Sequence, residues 1–128
     1  MNEVLSHSEI LILLTPLTSK TENLLNAERL SLLPKGAYVL NPGRGGLIDD
    51  KALLAALDSG AIAHATLDTF RVEPLPPEHA YWRHPRVTVT PHIASETRSD
   101  TASEQIAANI ARNERGEPFL HVVDRTDL

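Results

Sequence analysis

The sequence predicts an α/β fold built around a parallel sheet, with a long helix towards its carboxyl end. Three observations carry this. Short apolar runs containing β-branched residues recur at 10–14, 37–40, 65–67 and 87–90. Helical patterns lie between them, so strand and helix alternate as they do in βαβ units. Two of the runs are near-continuous hydrophobic stretches, as expected of strands buried on both faces.

The elements can be justified in order. Residues 2–7 read as the end of a helix, and the run 10–14 follows as the first strand. Asn26 is placed to cap a short helix over 27–33, which Pro34 and Gly36 stop. After the strand at 37–40, Asp49 or Asp50 can cap the next helix. Its Leu53, Leu54 and Leu57 form one apolar stripe, ended by Ser59 and Gly60. Beyond the run at 65–67, residues 71–86 hold Pro74, Pro76, Pro77 and Pro85, with Pro91 past the next strand. That density reads as a long ordered loop. Residues 99–115 read as a long helix, with Ile106 and Ile110 at i, i+4 and a stop at Gly116 and Pro118.

Composition narrows the function. At 128 residues with 41% apolar and 23% charged side chains, the chain suits one ordinary globular domain. A formal net charge of -5 argues against a nucleic-acid surface. With no cysteine, neither a disulfide framework nor a thiolate zinc site is possible. The run 10–14 is far too short to span a bilayer, and the opening residues do not resemble a signal peptide. A cytoplasmic location is the expectation, with no membrane partner. No H-x-x-x-H or H-E-x-x-H spacing supports a metal site, and no G-x-S-x-G elbow supports serine hydrolysis.

Candidate chemistry sits where strands end, the edge on which open α/β sheets bind ligands. Asn41-Pro42-Gly43-Arg44-Gly45-Gly46 follows the second strand. An arginine flanked by glycines suits a small anion, because its planar fork can hold both oxygens of a carboxylate. An ordinary glycine-rich turn with a solvated arginine is the plainer reading. Asp68 ends the third strand and could accept a hydrogen bond from a ligand amide, or simply open a loop. Glu73 lies five residues further on. His92 follows the fourth strand, where an imidazole could exchange protons near neutral pH and a nearby carboxylate would favour its charged form. An ordinary turn histidine is the competing reading. His7, His64, His79, His84 and His121 have less to recommend them.

Taken in order, four segments are more specific than any one alone. L-L-T-P-L-T-S-K-T at 13–21, L-N-P-G-R-G-G-L-I-D at 40–49, L-D-T-F-R-V-E-P-L-P at 67–76 and H-P-R-V-T-V-T-P-H-I-A at 84–94 resemble the D-isomer-specific 2-hydroxyacid dehydrogenase family. The resemblance covers essentially the whole chain. The stretch from Glu73 to Pro85 looks most like the glyoxylate/hydroxypyruvate reductase branch.

The resemblance implies part of a Rossmann-like NAD(P)-binding domain over residues 1–98. Residues 99–128 would be a helix and tail returning to a substrate domain, where Val122, Val123, Asp124 and Arg125 would pack. It implies hydride transfer between NAD or NADP and a small 2-keto or 2-hydroxy acid. Arg44 would bind the substrate's carboxylate and keto oxygen, His92 would give the keto oxygen its proton, and Glu73 would hold His92 charged and oriented. Asp68 would contact the nicotinamide amide. Thr15 and Pro16 match positions on the adenosine side of the cofactor. Thr21, Pro42, Gly43 and Ala94 match further cofactor-side positions, and Trp82 a position near the substrate pocket or a subunit contact.

The chain departs from the family in lacking an amino-terminal substrate segment and any G-x-G-x-x-G phosphate loop. Weakened cofactor binding is therefore expected, with little or no activity for the chain alone. A catalytically silent fragment or nucleotide-binding module is the alternative. An unpaired strand edge and an uncovered apolar face would also favour a homo-oligomer.

Overall fold

The computed structural model describes residues 1–123. They fall into two units, Met1–Ala94 and the part beginning at Ser95, each described by itself.

The first unit contains α1 (Asn2–Ser6), β1 (Ile10–Ile12), α2 (Ala27–Leu30), β2 (Ala37–Asn41), α3 (Asp50–Asp58), β3 (Ile62–Leu67) and β4 (Val87–Val89). The four strands form one parallel sheet in the order β1-β2-β3-β4. Every carboxyl end therefore opens on the same edge. Asn26 caps α2, its side chain accepting from Arg29 N–H at 3.0 Å. Of the two candidate caps for α3 it is Asp49 that serves, accepting from Lys51 and Ala52 at 3.0 and 3.2 Å.

Register sorts the strand residues into two faces. Leu11, Val39, Ala65 and Val87 share one face through the pairings Leu11↔Val39, Val39↔Ala65 and Ala65↔Val87. They pack with Leu53 and Leu57 of α3 and Leu30 of α2 in a single core. Burying each of these leucines contributes roughly 1.5–3 kcal/mol. The opposite face carries Ile10, Ile12 and Tyr38, which are 62, 51 and 51% exposed. Burial on both faces was expected; within this unit the helices supply apolar side chains to one face only.

Three boundaries differ from the sequence reading. Helix α2 ends at Leu30 rather than 33, three residues ahead of Pro34. Strand β3 starts at Ile62 rather than 65, because the backbones of Ile62 and His64 already pair with Ala37 and Tyr38. The proline-rich loop contains one 3₁₀ turn, Ala80–Arg83, in a stretch free of proline, with His79 Nδ1 accepting from Tyr81 N–H at 3.3 Å.

In the second unit α4 spans Ser99–Glu114 and buries no residue; Ile106 and Ile110 are both exposed. Gly116 follows the helix at φ +69°, a left-handed conformation that glycine adopts without strain. The chain then folds back, with Asn109 Oδ1 accepting from Leu120 N–H at 2.8 Å. Val122 and Val123 are exposed; Asp124 and Arg125 lie outside the described residues. No described helix is long and apolar enough to cross a membrane.

Candidate active site

Strand β2 delivers the first component. Asn41, its last residue, is buried, and its side chain shapes the turn that follows. Oδ1 accepts from Gly43 N–H at 3.1 Å and Nδ2 donates to the Arg44 carbonyl at 3.0 Å. Arg44 itself is exposed, with Nη1 donating to the Gly43 carbonyl at 2.7 Å. Gly45 is buried where this turn meets the loop after β3. A Cβ there would lie 2.0 Å from the Phe70 carbonyl carbon and 2.4 Å from Arg71 N, so only glycine allows the approach.

That second loop carries Asp68 and Glu73. Phe70 N–H donates to Glu73 Oε1 at 2.8 Å, turning the carboxylate back over the sheet edge. The other oxygen, Oε2, is 2.8 Å from His92 Nδ1. His92 comes from the loop after β4 and has φ +55°, unusual for a side chain with a Cβ.

Asp68 explains how that conformation is held. The residue is 4% exposed. Oδ1 accepts from Ile93 N–H at 3.0 Å and from the Thr90 hydroxyl, and Oδ2 accepts from Ala94 N–H at 2.9 Å. Donors on both sides of His92 are thus gathered on one carboxylate. Burial opposes its charge, but these hydrogen bonds and the nearby His92 outweigh it and hold the pKa below its ordinary value. For Glu73 the Phe70 N–H is the largest influence, followed by the hydrogen bond to His92, with Arg44 adding a weaker attraction; its pKa is also lowered.

Arg44, Glu73 and His92 line one cavity of about 510 Å³, together with Leu17, Glu22 and Arg71. Thr15, Pro16 and Gly43 line a neighbouring one of about 530 Å³ that also touches Arg44. Trp82 lies with Leu75, Pro74 and Pro91 in an apolar cavity of about 440 Å³ against Glu73 and His92. Thr21 and Pro42 line none of these three. The Thr21 hydroxyl is engaged locally, donating to the Pro16 carbonyl and accepting from Thr18 N–H, both at 2.7 Å. Ala94 commits its amide to Asp68. His64 pairs with Thr88 and His84 with Asp58, away from the cavity. Among the described residues no cluster of three His, Asp or Glu could hold a metal.

Sequence reasoning gave no role to Asn41, Thr90 or Arg71. For Asn41 a signal existed, since Asn ahead of Pro-Gly is strong turn chemistry. Thr90 and Arg71 act over more than 20 residues of separation, which no local pattern encodes.

A parallel sheet with a guanidinium and a carboxylate–imidazole pair along its carboxyl edge defines an α/β domain that holds the groups acid–base chemistry on an anion requires. Comparison with known proteins makes this specific. Residues 1–94 match the model of the D-isomer specific 2-hydroxyacid dehydrogenase NAD-binding domain, and the chain belongs to that family. A glyoxylate/hydroxypyruvate reductase A of Salmonella newport is 48% identical over 125 residues, 98% of this chain and 40% of the relative. Among solved structures, a D-isomer specific 2-hydroxyacid dehydrogenase from Xanthobacter autotrophicus, in complex with NADPH and MES, is 51% identical with a TM-score of 0.93. That match covers 96% of this chain and 51% of the other. The NADPH-dependent glyoxylate/hydroxypyruvate reductase of Sinorhizobium meliloti, in complex with NADP and sulfate, is 36% identical with a TM-score of 0.92, over 98% and 42%. The chain thus spans about two fifths of the length of the curated relatives it matches.

Proposed function

We propose that this chain carries the acid–base half of an NAD(P)-dependent reductase acting on a small 2-keto acid such as glyoxylate or hydroxypyruvate. The observation that carries the reading is the 2.8 Å contact between Glu73 Oε2 and His92 Nδ1 on the wall of the cavity that Arg44 also lines. With Nδ1 committed to Glu73, His92 keeps Nε2 for substrate. Arg44 binds the carboxylate through its fork. His92 protonates the keto oxygen as the carbonyl carbon gains a hydride, giving the 2-hydroxy acid; the reverse reaction returns the proton to Nε2. Glu73 accepts from Nδ1 and so fixes the ring's orientation.

The sheet edge fits a nicotinamide cofactor. Thr15, Pro16 and Gly43 line a cavity continuous with Arg44. A Cβ at Gly43 would sit 2.8 Å from the Leu13 carbonyl oxygen, so glycine lets this turn pack closely against the end of β1. Thr15, Pro16 and Gly43 would hold the cofactor, with Pro42 next to Gly43 in the chain, while Thr21, Asp68 and Ala94 are further positions that the family resemblance implies; when bound it supplies the hydride. We further propose that the chain alone binds the cofactor weakly, having no G-x-G-x-x-G, and that it self-associates through the face bearing Ile10, Ile12 and Tyr38.

The test is NADPH and NADH oxidation with glyoxylate or hydroxypyruvate, comparing the chain with its His92→Gln variant. The expected loss is about 10²–10⁴-fold. Turnover that survives the substitution removes His92 as the proton donor. Cofactor binding by calorimetry without any turnover favours the silent nucleotide-binding module instead.

A further inference from the structure

We infer that Arg71 is a positioning residue that locks the Arg44 turn to the Glu73 loop, setting the separation between anion-binding and proton-transfer groups. The inference rests on the roles proposed for Arg44, Glu73 and His92.

Arg71 lies two residues before Glu73, yet its side chain reaches back to the segment that follows Arg44. Nη2 donates to the Ile48 carbonyl at 2.7 Å, to the Gly46 carbonyl at 3.2 Å and to Asn23 Oδ1. Nη1 pairs with Glu22 at 3.4 Å, and Nε lies 3.9 Å from Asp50 Oδ2. Asp50 is held in turn by the Tyr81 hydroxyl at 2.9 Å. One guanidinium therefore gathers the chain at residues 22–23, 46–48 and 50, all outside the loop it belongs to.

The tie acts where the two loops already touch. Gly45 packs directly on the Phe70–Arg71 peptide, and Phe70 N–H orients Glu73. Gly46 and Ile48 are buried; the Gly46 carbonyl already accepts from Asn23 N–H at 2.9 Å, so Arg71 adds a second bond there and supplies a protein partner to the Ile48 carbonyl. Although Arg71 lines the same cavity as Arg44, its N–H groups are directed at protein oxygens. That distinguishes it from a second substrate-binding arginine. A lysine puts its three donors on one nitrogen; it could take the place of Nη2 at the two carbonyls but not also of Nη1 at Glu22 and Nε beside Asp50.

The 128-residue chain suits ¹⁵N NMR, with oxalate as a non-reacting analogue of a 2-keto acid. In wild type, oxalate is expected to shift the Arg44 side-chain N–H and leave that of Arg71 nearly unmoved. In Arg71→Met, the amides of Gly45, Gly46 and Ile48 should exchange faster and oxalate should bind about tenfold more weakly, the scale of one lost hydrogen bond to a charged group. Arg71→Lys should recover part of both effects, and it carries the test if Arg71→Met does not fold. Unchanged loop amides and oxalate affinity in both variants would overturn the inference. So would an oxalate shift at Arg71 as large as at Arg44, which makes Arg71 a ligand. If wild type fails to bind oxalate while the loop amides still loosen in the variants, the tie stands and the functional reading fails.

Discussion

Replacing Asp68 with alanine removes the one acceptor that holds the His92 loop from both sides. Three donors lose their partner: the Thr90 hydroxyl, Ile93 N–H and Ala94 N–H. A hydrogen bond to a charged group contributes about 1.5–3 kcal/mol net, so three would give at least about 4.5 kcal/mol. Two corrections lower this. Ile93 and Ala94 are exposed, so their freed amides can turn to water, and the variant no longer buries a charge. The expected loss is about 2–4 kcal/mol, read from urea unfolding by circular dichroism. Trp82, the chain's single tryptophan, lies in the cavity beside His92 and gives a second, local probe by fluorescence. Asp68→Asn should fall between, since one carbonyl oxygen remains but the amide group turns a donor towards a donor.

Acid sharpens the test. The folded pKa of Asp68 lies below its ordinary value of 3.8. Its contribution is therefore complete above that value and is lost as pH falls through the lower folded value. The gap between wild type and Asp68→Ala should be full at pH 6 and shrink below about pH 4. A difference under about 0.5 kcal/mol at pH 6, the range of an ordinary surface change, would refute the argument. So would a gap that does not narrow in acid.

Gly45→Ala forces a Cβ to within 2.0 Å of the Phe70 backbone; a cost of about 1–3 kcal/mol is expected, measurable by thermal unfolding, with weakened anion binding because the two loops must part. Glu73 also has a lowered pKa, from the Phe70 amide first and His92 next. The stability difference between wild type and Glu73→Gln should therefore be present above the ordinary value of 4.5 and fade as pH falls through the folded value, which melting curves across that range will show. Self-association should appear as a concentration-dependent mass in light scattering, and Ile12→Lys should abolish it by placing a charge on the exposed face; a monomer at high concentration refutes the proposal.

The architecture was legible because its signals are local. Apolar runs, Asn26 and the Asp49–Asp50 pair at helix starts, and the stop at Gly60 each depend on a few adjacent residues. Positions at strand ends followed from topology alone: once the sheet is parallel, Arg44, Asp68 and His92 must emerge on one edge. What could not be read was the covering of each face, because Ile10 and Leu11 look alike in sequence and differ only in what packs against them. The start of β3 was hidden for a similar reason, since Ile62 and His64 join the strand by pairing with Ala37 and Tyr38, across a register shift at Ala63, rather than by propensity.

The site's supporting bonds are the deeper omission, and they share one cause. His92 adopts φ +55° without the glycine that would announce it. The conformation is imposed from Asp68, 24 residues earlier, which read as an ordinary loop opener or a ligand contact. Arg71 sat in the middle of a recognised segment and attracted no role, because its partners lie at residues 22–23 and 46–48. Reactive side chains cluster in sequence near strand ends and can be found there. The groups that hold them at working separation are chosen by three-dimensional reach, so they emerge only when every buried carbonyl and every unusual backbone angle is asked what holds it.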